Sequence, residues 1–156
     1  MIEIERKFLV TSDAFKLEAF QHMRITQGFL NTHPERTVRV RLKGEDGYIT
    51  VKGKSSDDGL KRFEWENKIS STEARALLEL CEAGIIDKTR YLVTQGAHVF
   101  EIDEFHGENQ GLIVAEIELN HETEAFDKPS WLGKEVTGDT KYYNSQLSKT
   151  PYNTWN

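Results

Sequence analysis

The chain opens with the stretch Met1-Ile2-Glu3-Ile4-Glu5-Arg6-Lys7-Phe8, in which apolar and charged side chains alternate. In a β-strand successive side chains point to opposite faces, so Glu3, Glu5 and Lys7 share one face. The two isoleucines and the phenylalanine share the other face, which is apolar enough to be buried apart from Arg6. The stretch therefore predicts a strand whose charged face is organised for an ion or a charged ligand.

The same alternation recurs in six further segments of the chain. They are residues 38–43, 49–54, 62–66, 88–90, 101–105 and 115–119. Each fits the two-residue period of a strand better than the 3.6-residue period of a helix. One such segment alone is most often the solvated face of an antiparallel sheet.

The charges on these segments are sorted by sign. Residues 38–43 and 49–54 carry only cations, whereas residues 115–119 carry only acids. Like charges on one strand repel, so a group of the opposite sign should offset them. Acidic strands suit divalent cations, and basic strands suit phosphates or carboxylates. A metal-bound polyphosphate carries both kinds of group and is therefore the favoured class of ligand.

The composition limits the class of protein. We expect one domain over residues 1–156, which is long enough for a single core. The formal net charge of −6 and the pI near 5.4 argue against a general nucleic-acid binder. Cys81 is the lone cysteine, so no internal disulfide can form and a buried thiol is expected. No signal segment or membrane-spanning run stands out, which predicts a soluble cytoplasmic protein.

Four helices are expected between the strands. Residues 12–23 carry an apolar stripe behind a serine that can cap a helix. Residues 70–73 form a capping box that opens a second helix, which Gly84 should close. Short helices are expected near Pro129 and over residues 143–147.

The predicted fold is α+β, mainly β. Many antiparallel strands with one apolar and one densely charged face cannot form a sandwich, because its interior must be dry. They can form a closed barrel with a wet, charged lumen and helices on its outside. The apolar side chains, which include Phe63 and Trp65, would then point outward and pack against the helices.

Eight blocks of residues follow one another along nearly the whole chain. They are Glu3-x-Glu5-x-Lys7, Arg39-x-Arg41, residues 50–53 (T-V-K-G), residues 62–66 (R-x-E-x-E), Lys88-x-Arg90, Glu101-x-Asp103, residues 116–119 (E-I-E-L) and residues 136–144 (V-T-G-D-x-K-Y-x-N). Taken in this order, they resemble the CYTH domain of the triphosphate tunnel metalloenzymes. The resemblance implies an eight-stranded antiparallel tunnel, a divalent metal ion (Mg²⁺ or Mn²⁺) and a triphosphate substrate.

The resemblance also implies roles for the charged residues. The implied metal ligands are Glu3, Glu5, Glu64, Glu66, Asp103, Glu116 and Glu118. The implied phosphate ligands are Lys7, Arg39, Arg41, Lys52, Lys54, Arg62, Lys88, Arg90 and Lys141. The set expected to act in catalysis is Glu5, Lys7, Glu116 and Glu118. The acids at 64, 66, 101 and 103 could instead orient water and the basic side chains, and Lys141 stands where the family often has arginine.

The reaction implied is attack of water on a terminal phosphoryl group, which needs charge neutralisation rather than covalent help. Inorganic triphosphate is the expected substrate, because the first residues most resemble bacterial members that hydrolyse it. The alternatives are a class IV adenylate cyclase, a thiamine or nucleoside triphosphatase, and a non-catalytic polyphosphate- or nucleotide-binding module. A base or thiazolium would need an aromatic pocket, for which the candidates by type are Tyr48, Trp65, Tyr91, Trp131 and Trp155. We expect no nucleic-acid or membrane partner, and the apolar outer wall could support a homodimer.

Overall fold

Nine strands and three short helices make up the fold in a computed structural model, which describes residues 1–155. The strands are β1 (Ile2–Val10), β2 (Gln21–Asn31), β3 (Arg36–Lys43), β4 (Asp46–Gly53), β5 (Lys61–Ile69), β6 (Ile86–Gln95), β7 (His98–Phe105), β8 (Ile113–Leu119) and β9 (Leu132–Glu135). The helices are α1 (Phe15–Glu18), α2 (Ser71–Leu78) and α3 (Asn144–Leu147). None of these helices is both long and apolar enough to cross a membrane.

Eight of the strands close into a barrel. The order is β5-β4-β3-β2-β6-β7-β8-β1, with every neighbouring pair antiparallel, and β1 returns to pair with β5. The closing contact aligns Ile2 with Phe63. Farther along β1, Phe8 aligns instead with Glu135 of β9, which extends the sheet where β5 has ended. The predicted eight-stranded antiparallel barrel is confirmed.

The apolar side chains of the barrel wall point outward, as the alternation predicts. One buried cluster lies between the outer face of strands β1, β6, β7 and β8 and the chain segments that cover it. Its members are Phe8, Phe15, Val93, Phe100, Ile102, Ala115, Ile117, Leu119 and Trp131. Helix α2 lies on β2, β3 and β4, where Gly47 allows close approach: a Cβ there would lie 2.8 Å from that of Ala74.

The outer face of β5 differs from the expectation. Phe63 and Trp65 point outward, but they remain 40% and 43% exposed rather than packing under a helix. The two helices that were expected to cover the outer wall pack mainly on other strands. Helix α1 packs against β6, and helix α2 packs against β2, β3 and β4.

A second cluster fills one end of the lumen. Phe29, Ile86, Phe105 and Val114 stand on the inward faces of four adjacent strands, and the segment after β9 packs onto them. That segment contributes Val136, Tyr142 and Leu147. The charged lumen is therefore closed at this end by an apolar base.

Two of the helix predictions were wrong. The helix predicted over residues 12–23 is confined to α1, and strand β2 begins at Gln21. The eleven residues of β2 are extended because pairing with β3 and β6 satisfies their backbone hydrogen-bonding groups. Near Pro129 the chain forms β9 instead of a helix. Helix α2 has the predicted capping box at Ser70, with both reciprocal hydrogen bonds, but ends at Leu78, before Gly84. Helix α3 is confirmed.

Candidate active site

Charged side chains from seven of the eight barrel strands point into the lumen. They are Glu3, Glu5, Lys7, Arg39, Arg41, Lys43, Lys52, Arg62, Glu64, Glu66, Lys88, Arg90, Glu101, Glu116 and Glu118. Strand β2 is the exception: its inward positions include Met23, Ile25, Gln27 and Phe29, all of them uncharged, which align with inward residues of β3 or β6. Strand alternation therefore brings together residues more than a hundred positions apart in the chain.

The lumen has two connected parts of opposite character. The basic chamber, about 90 Å³, is lined by six cationic side chains against three acids and by residues 137–138 and 143–145. The acidic chamber, about 210 Å³, is lined by seven acids against five cations. Both chambers share a ring of residues made up of Glu3, Glu5, Arg39, Lys52, Arg90 and Glu116. Both signs of charge are thus present throughout, with cations in excess in one chamber and acids in excess in the other.

Carboxyl groups contact each other in this shared ring. Burial and the neighbouring Glu116 carboxylate raise the pKa of Glu5 well above its ordinary range, and the two side chains share a hydrogen bond. Although burial opposes it, the Lys7 ammonium lowers the pKa of Glu116 to about 2, so the proton of the pair resides on Glu5. Lys7 Nζ lies 3.8 Å from Glu116 Oε1.

A second carboxyl pair lies beside the first. Burial and a hydrogen bond with Glu64 raise the pKa of Glu3 to about 8. Lys52 Nζ lies 3.5 Å from Glu3 Oε1 and 3.8 Å from Glu64 Oε2. Within residues 1–155, the buried Glu64 Oε2 has no hydrogen-bond partner. In each of the two pairs, a proton on one carboxyl group relieves the repulsion between two neighbouring carboxylates. A bound cation would relieve the same repulsion.

These carboxyl groups fit a divalent cation that also binds substrate. No three acidic or histidine side chains of the described residues converge into a ready-made metal cage. Mg²⁺ rarely needs such a cage, since it is commonly held by one or two carboxylates, waters and substrate phosphates. Glu5 and Glu116 would supply the two carboxylates. Glu118, whose pKa is raised by burial and then by Glu101, lies farther into the acidic chamber.

The paired arginines of β3 keep donors free for an anion. Glu66 Oε2 accepts from Arg41 Nη2 at 2.9 Å, from Thr50 Oγ1 at 2.7 Å and from Arg39 Nη2 at 3.4 Å. This carboxylate is therefore occupied in orienting the arginines rather than free to bind a metal. The buried Nε atoms of Arg39 and Arg41 have no partner within residues 1–155. Unpaired buried donors are costly, and an anionic ligand would satisfy them.

Asp103 is likewise occupied by cations. It accepts from Arg90 Nε at 2.8 Å, from Arg90 Nη2 at 2.9 Å and from Lys88 Nζ at 2.9 Å, and it is 2% exposed. Despite burial, Arg90 and Lys88 lower its pKa well below the ordinary range. All of these contacts are with cationic side chains, so a metal ion at Asp103 stays a prediction, beside the alternative that Asp103 orients Arg90 and Lys88.

Comparison with known proteins agrees with this geometry. Residues 1–152 match the CYTH domain. The chain belongs to the CYTH domain family. Its relatives include an inorganic triphosphatase of Acetivibrio thermocellus, 47% identical over 96% of this chain and 95% of that protein. An inorganic triphosphatase of Nitrosomonas europaea is 36% identical over 95% of this chain and 97% of that protein. A solved structure of an inorganic triphosphatase has a TM-score of 0.66 and 31% identity over 94% of this chain and 97% of that one.

Two of the expected phosphate ligands lie outside the lumen of this CYTH domain. Lys54 follows the end of β4 and is exposed. Lys141 is also exposed, and its Nζ lies 5.2 Å and 4.9 Å from the ring centres of Tyr142 and Trp155. The 3₁₀ turn Thr140–Tyr142 buries the tyrosine and thereby turns the lysine outward.

Other lumen residues of the CYTH domain were missed from the sequence. Tyr143 and Asn144 line the basic chamber, where the Tyr143 ring lies 5.1 Å from Lys7 Nζ and 5.9 Å from Arg62 Cζ. Lys43 lines the acidic chamber. Lys43 is the last residue of the alternating segment 38–43, so the alternation already places it on the same strand face as Arg39 and Arg41. Asn144 ends the last sequence block, which was the only signal for it.

Proposed function

We propose that this CYTH domain hydrolyses inorganic triphosphate to orthophosphate and pyrophosphate with the help of a divalent metal ion. The observation that carries the proposal is the shared ring of the lumen, where the Nε donor of Arg39, unpaired within residues 1–155, lies beside the Glu5–Glu116 carboxyl pair and Glu3. A polyanion bound there would satisfy the cations, and a metal ion bound with it would replace the protons. The names of the two curated relatives support the same substrate.

The basic chamber would bind the phosphate chain. Arg62 is fixed by Nε donating to Gly53 O at 2.6 Å and Nη2 donating to Thr37 Oγ1 at 2.9 Å. Burial lowers the pKa of Arg39 to about 10, which leaves it charged at neutral pH. Side chains held in this way bind phosphate oxygens with little further loss of conformational freedom. They also neutralise the charge that spreads over the transferring group.

The carboxyl pairs would hold the metal ion next to that chain. Glu5 and Glu116 would be its principal ligands, and Glu3, Glu64 and Glu118 lie close enough to the same chamber to assist. When bound, the ion would neutralise phosphate oxygens and lower the pKa of a water molecule. The water oxygen would bond to the terminal phosphorus as the anhydride bond breaks, pyrophosphate would leave with the bonding electron pair, and a proton of the water would pass to solvent.

The lining of the tunnel favours a bare phosphate chain over a nucleotide. The aromatic side chains that line the basic chamber are Phe29 and Tyr143, and the acidic chamber has none among the described residues. Phe29 belongs to the apolar base, and Tyr143 contacts Lys7 and Arg62. Tyr48 contacts Arg41 and Lys43 through its ring. We infer that no aromatic face is left for a nucleobase or thiazolium.

Phosphate release tests the proposal. Inorganic triphosphate, ATP and thiamine triphosphate are assayed in parallel with Mg²⁺, with Mn²⁺ and with EDTA. The proposal expects EDTA-sensitive orthophosphate release from inorganic triphosphate, well above the other two substrates. Pyrophosphate from ATP without orthophosphate would assign a cyclase instead. Binding of inorganic triphosphate without release of any product would assign a binding module.

Several finer points belong to the same proposal. We expect Mg²⁺ or Mn²⁺ as the metal, because both are hard cations that prefer oxygen ligands. We expect residues 1–156 to act as one domain, without a nucleic-acid or membrane partner. A cytoplasmic location agrees with the lone Cys81, which needs no oxidising compartment. A homodimer through the apolar outer wall also stays a prediction.

A further inference from the structure

Two amide side chains, a buried glutamine and a half-buried asparagine, meet beside the basic chamber. Gln27 of β2 donates from Nε2 to Asn144 Oδ1 at 3.0 Å. Lys88 donates from Nζ to the same oxygen at 2.9 Å. Gln27 is 0% exposed, whereas Asn144 lines the basic chamber together with Lys88 and Arg90. The pair therefore links the base of the lumen to the cations that face the substrate.

The two donors fix the direction of the Asn144 amide. A carbonyl oxygen accepts two hydrogen bonds, and Lys88 and Gln27 use both positions. If the amide were rotated by half a turn, its NH₂ group would face two other N–H donors and both bonds would be lost. The Nδ2 group must therefore point away from Lys88 and Gln27. It donates to no residue within residues 1–155, and it is not among the buried atoms that lack a partner.

We propose that Asn144 Nδ2 donates a hydrogen bond to a phosphate oxygen of the substrate, and that Gln27 is the positioning residue that aims it. This inference rests on the proposed function, because the ligand is the phosphate chain in the basic chamber. Asn144 would be a neutral donor among cations. It adds a directed hydrogen bond without adding repulsion between the closely spaced Lys7, Lys88 and Arg90.

Gln27 acts only through Asn144. It does not line either chamber, and its second amide atom, Oε1, has no partner within residues 1–155. A buried amide held by one hydrogen bond costs stability, since its other atom is desolvated and unpaired. An apolar side chain at this position would avoid that cost. The amide is thus explained by the one bond that it makes, to Asn144.

Asn144→Asp separates the two functions of Asn144. The carboxylate keeps the size of the amide and still accepts from Lys88 and Gln27, but it has lost the donor and would repel a phosphate. We expect KM for inorganic triphosphate to rise about tenfold or more, as for loss of a hydrogen bond to a charged group. We expect the same loss of affinity when inorganic triphosphate is titrated calorimetrically into protein kept in EDTA. Gln146→Glu, on the same helix, adds the same charge outside both chambers and should leave both values within about twofold.

Gln27→Met tests the positioning role with a neutral side chain of similar volume. Asn144 then keeps only the bond from Lys88, so we expect KM to rise about threefold to fivefold with kcat nearly unchanged, as for one neutral hydrogen bond. A variant at residue 27 that lowers kcat without changing KM contradicts the positioning role. Wild-type affinity in Asn144→Asp, together with weakened binding in Asn144→Ala, would overturn the proposal, because Asn144 would then serve only to anchor Lys88. Hydrolysis by the unaltered chain tests the proposed function separately, and calorimetry measures the role of Asn144 without turnover.

Discussion

Arg90 and Asp103 face each other directly across β6 and β7, and both oxygens of the carboxylate accept from the guanidinium, at 2.8 Å and 2.9 Å. The same carboxylate holds Lys88 Nζ at 2.9 Å. Its charge keeps two buried cations in place at the middle of the tunnel. A residue expected from the sequence to bind a metal ion thus already pairs with two cationic side chains of the lumen.

Removing the Asp103 charge should damage both the fold and substrate binding. Asp103→Asn leaves Arg90 and Lys88 buried with too few acceptors, and loss of one partner of a buried ion pair costs about 3–5 kcal/mol. We expect the free energy of unfolding to fall by that amount in urea titration, and KM for inorganic triphosphate to rise. Glu104→Gln is the matched control, because Glu104 on the same strand pairs with Lys16 at the surface. Its cost should stay below about 1 kcal/mol. Equal, small effects of the two variants would show that the Asp103 pair is not structural.

Neutral isosteres at the first carboxyl pair should abolish turnover without unfolding the chain. Glu5→Gln and Glu116→Gln each remove a charge that the metal ion requires, and we expect kcat to fall at least about a hundredfold. Melting curves in EDTA should show a retained fold, because the carboxyl–carboxyl contact has been relieved. Glu122→Gln, at an exposed pair with Lys61, should keep full activity. Full activity in both lumen variants would rule out these two residues as metal ligands.

The metal-free protein should lose stability as the pH rises. Folded Glu3 keeps its proton up to about pH 8, whereas the unfolded chain releases it near 4.5. Between these values the unfolded state binds fewer protons, so the free energy of unfolding falls with pH, and Glu3 alone contributes at most about 1.4 kcal/mol per unit. Glu5, whose pKa is also raised, adds to the fall in the same direction. Denaturant midpoints in EDTA from pH 5 to 8 measure this slope, and Glu3→Gln should make it less steep. Stability that increases across this range would contradict the raised pKa.

Arg39 and Lys141 should behave differently although both were expected to bind phosphate. Arg39 lines both chambers, so Arg39→Ala should raise KM for inorganic triphosphate steeply. Lys141 lies on the outside against Trp155, so Lys141→Ala should leave KM unchanged within about twofold. Steady-state kinetics compares the two variants. If Arg39→Ala lowered kcat alone, the arginine would stabilise the transition state and would not contribute to substrate binding.

The seven barrel strands with charged lumen faces could be predicted from the sequence, because charged residues recur at every second position along them. Alternating cations and acids identified seven strands and nearly every charged lumen residue. Strand β2 has neutral inward residues, Ile25, Gln27 and Phe29, so no charged face marks it, and its first three residues were expected to end a helix; pairing with β3 and β6 decides its structure. Strand β9 has four residues and depends on β1 for its hydrogen bonds. The direction of Lys141 depends on a three-residue turn, which no spacing rule gives.

Hydrolysis of inorganic triphosphate in ¹⁸O-labelled water, followed by ³¹P NMR, tests the central claim most directly. With Mg²⁺ we predict orthophosphate and pyrophosphate in equal amounts, with the label in orthophosphate, because water attacks a terminal phosphorus. EDTA, or Glu116→Gln in place of the unaltered chain, should abolish both products. Label in pyrophosphate, or no hydrolysis with either Mg²⁺ or Mn²⁺, would contradict a metal-dependent attack on the terminal phosphoryl group.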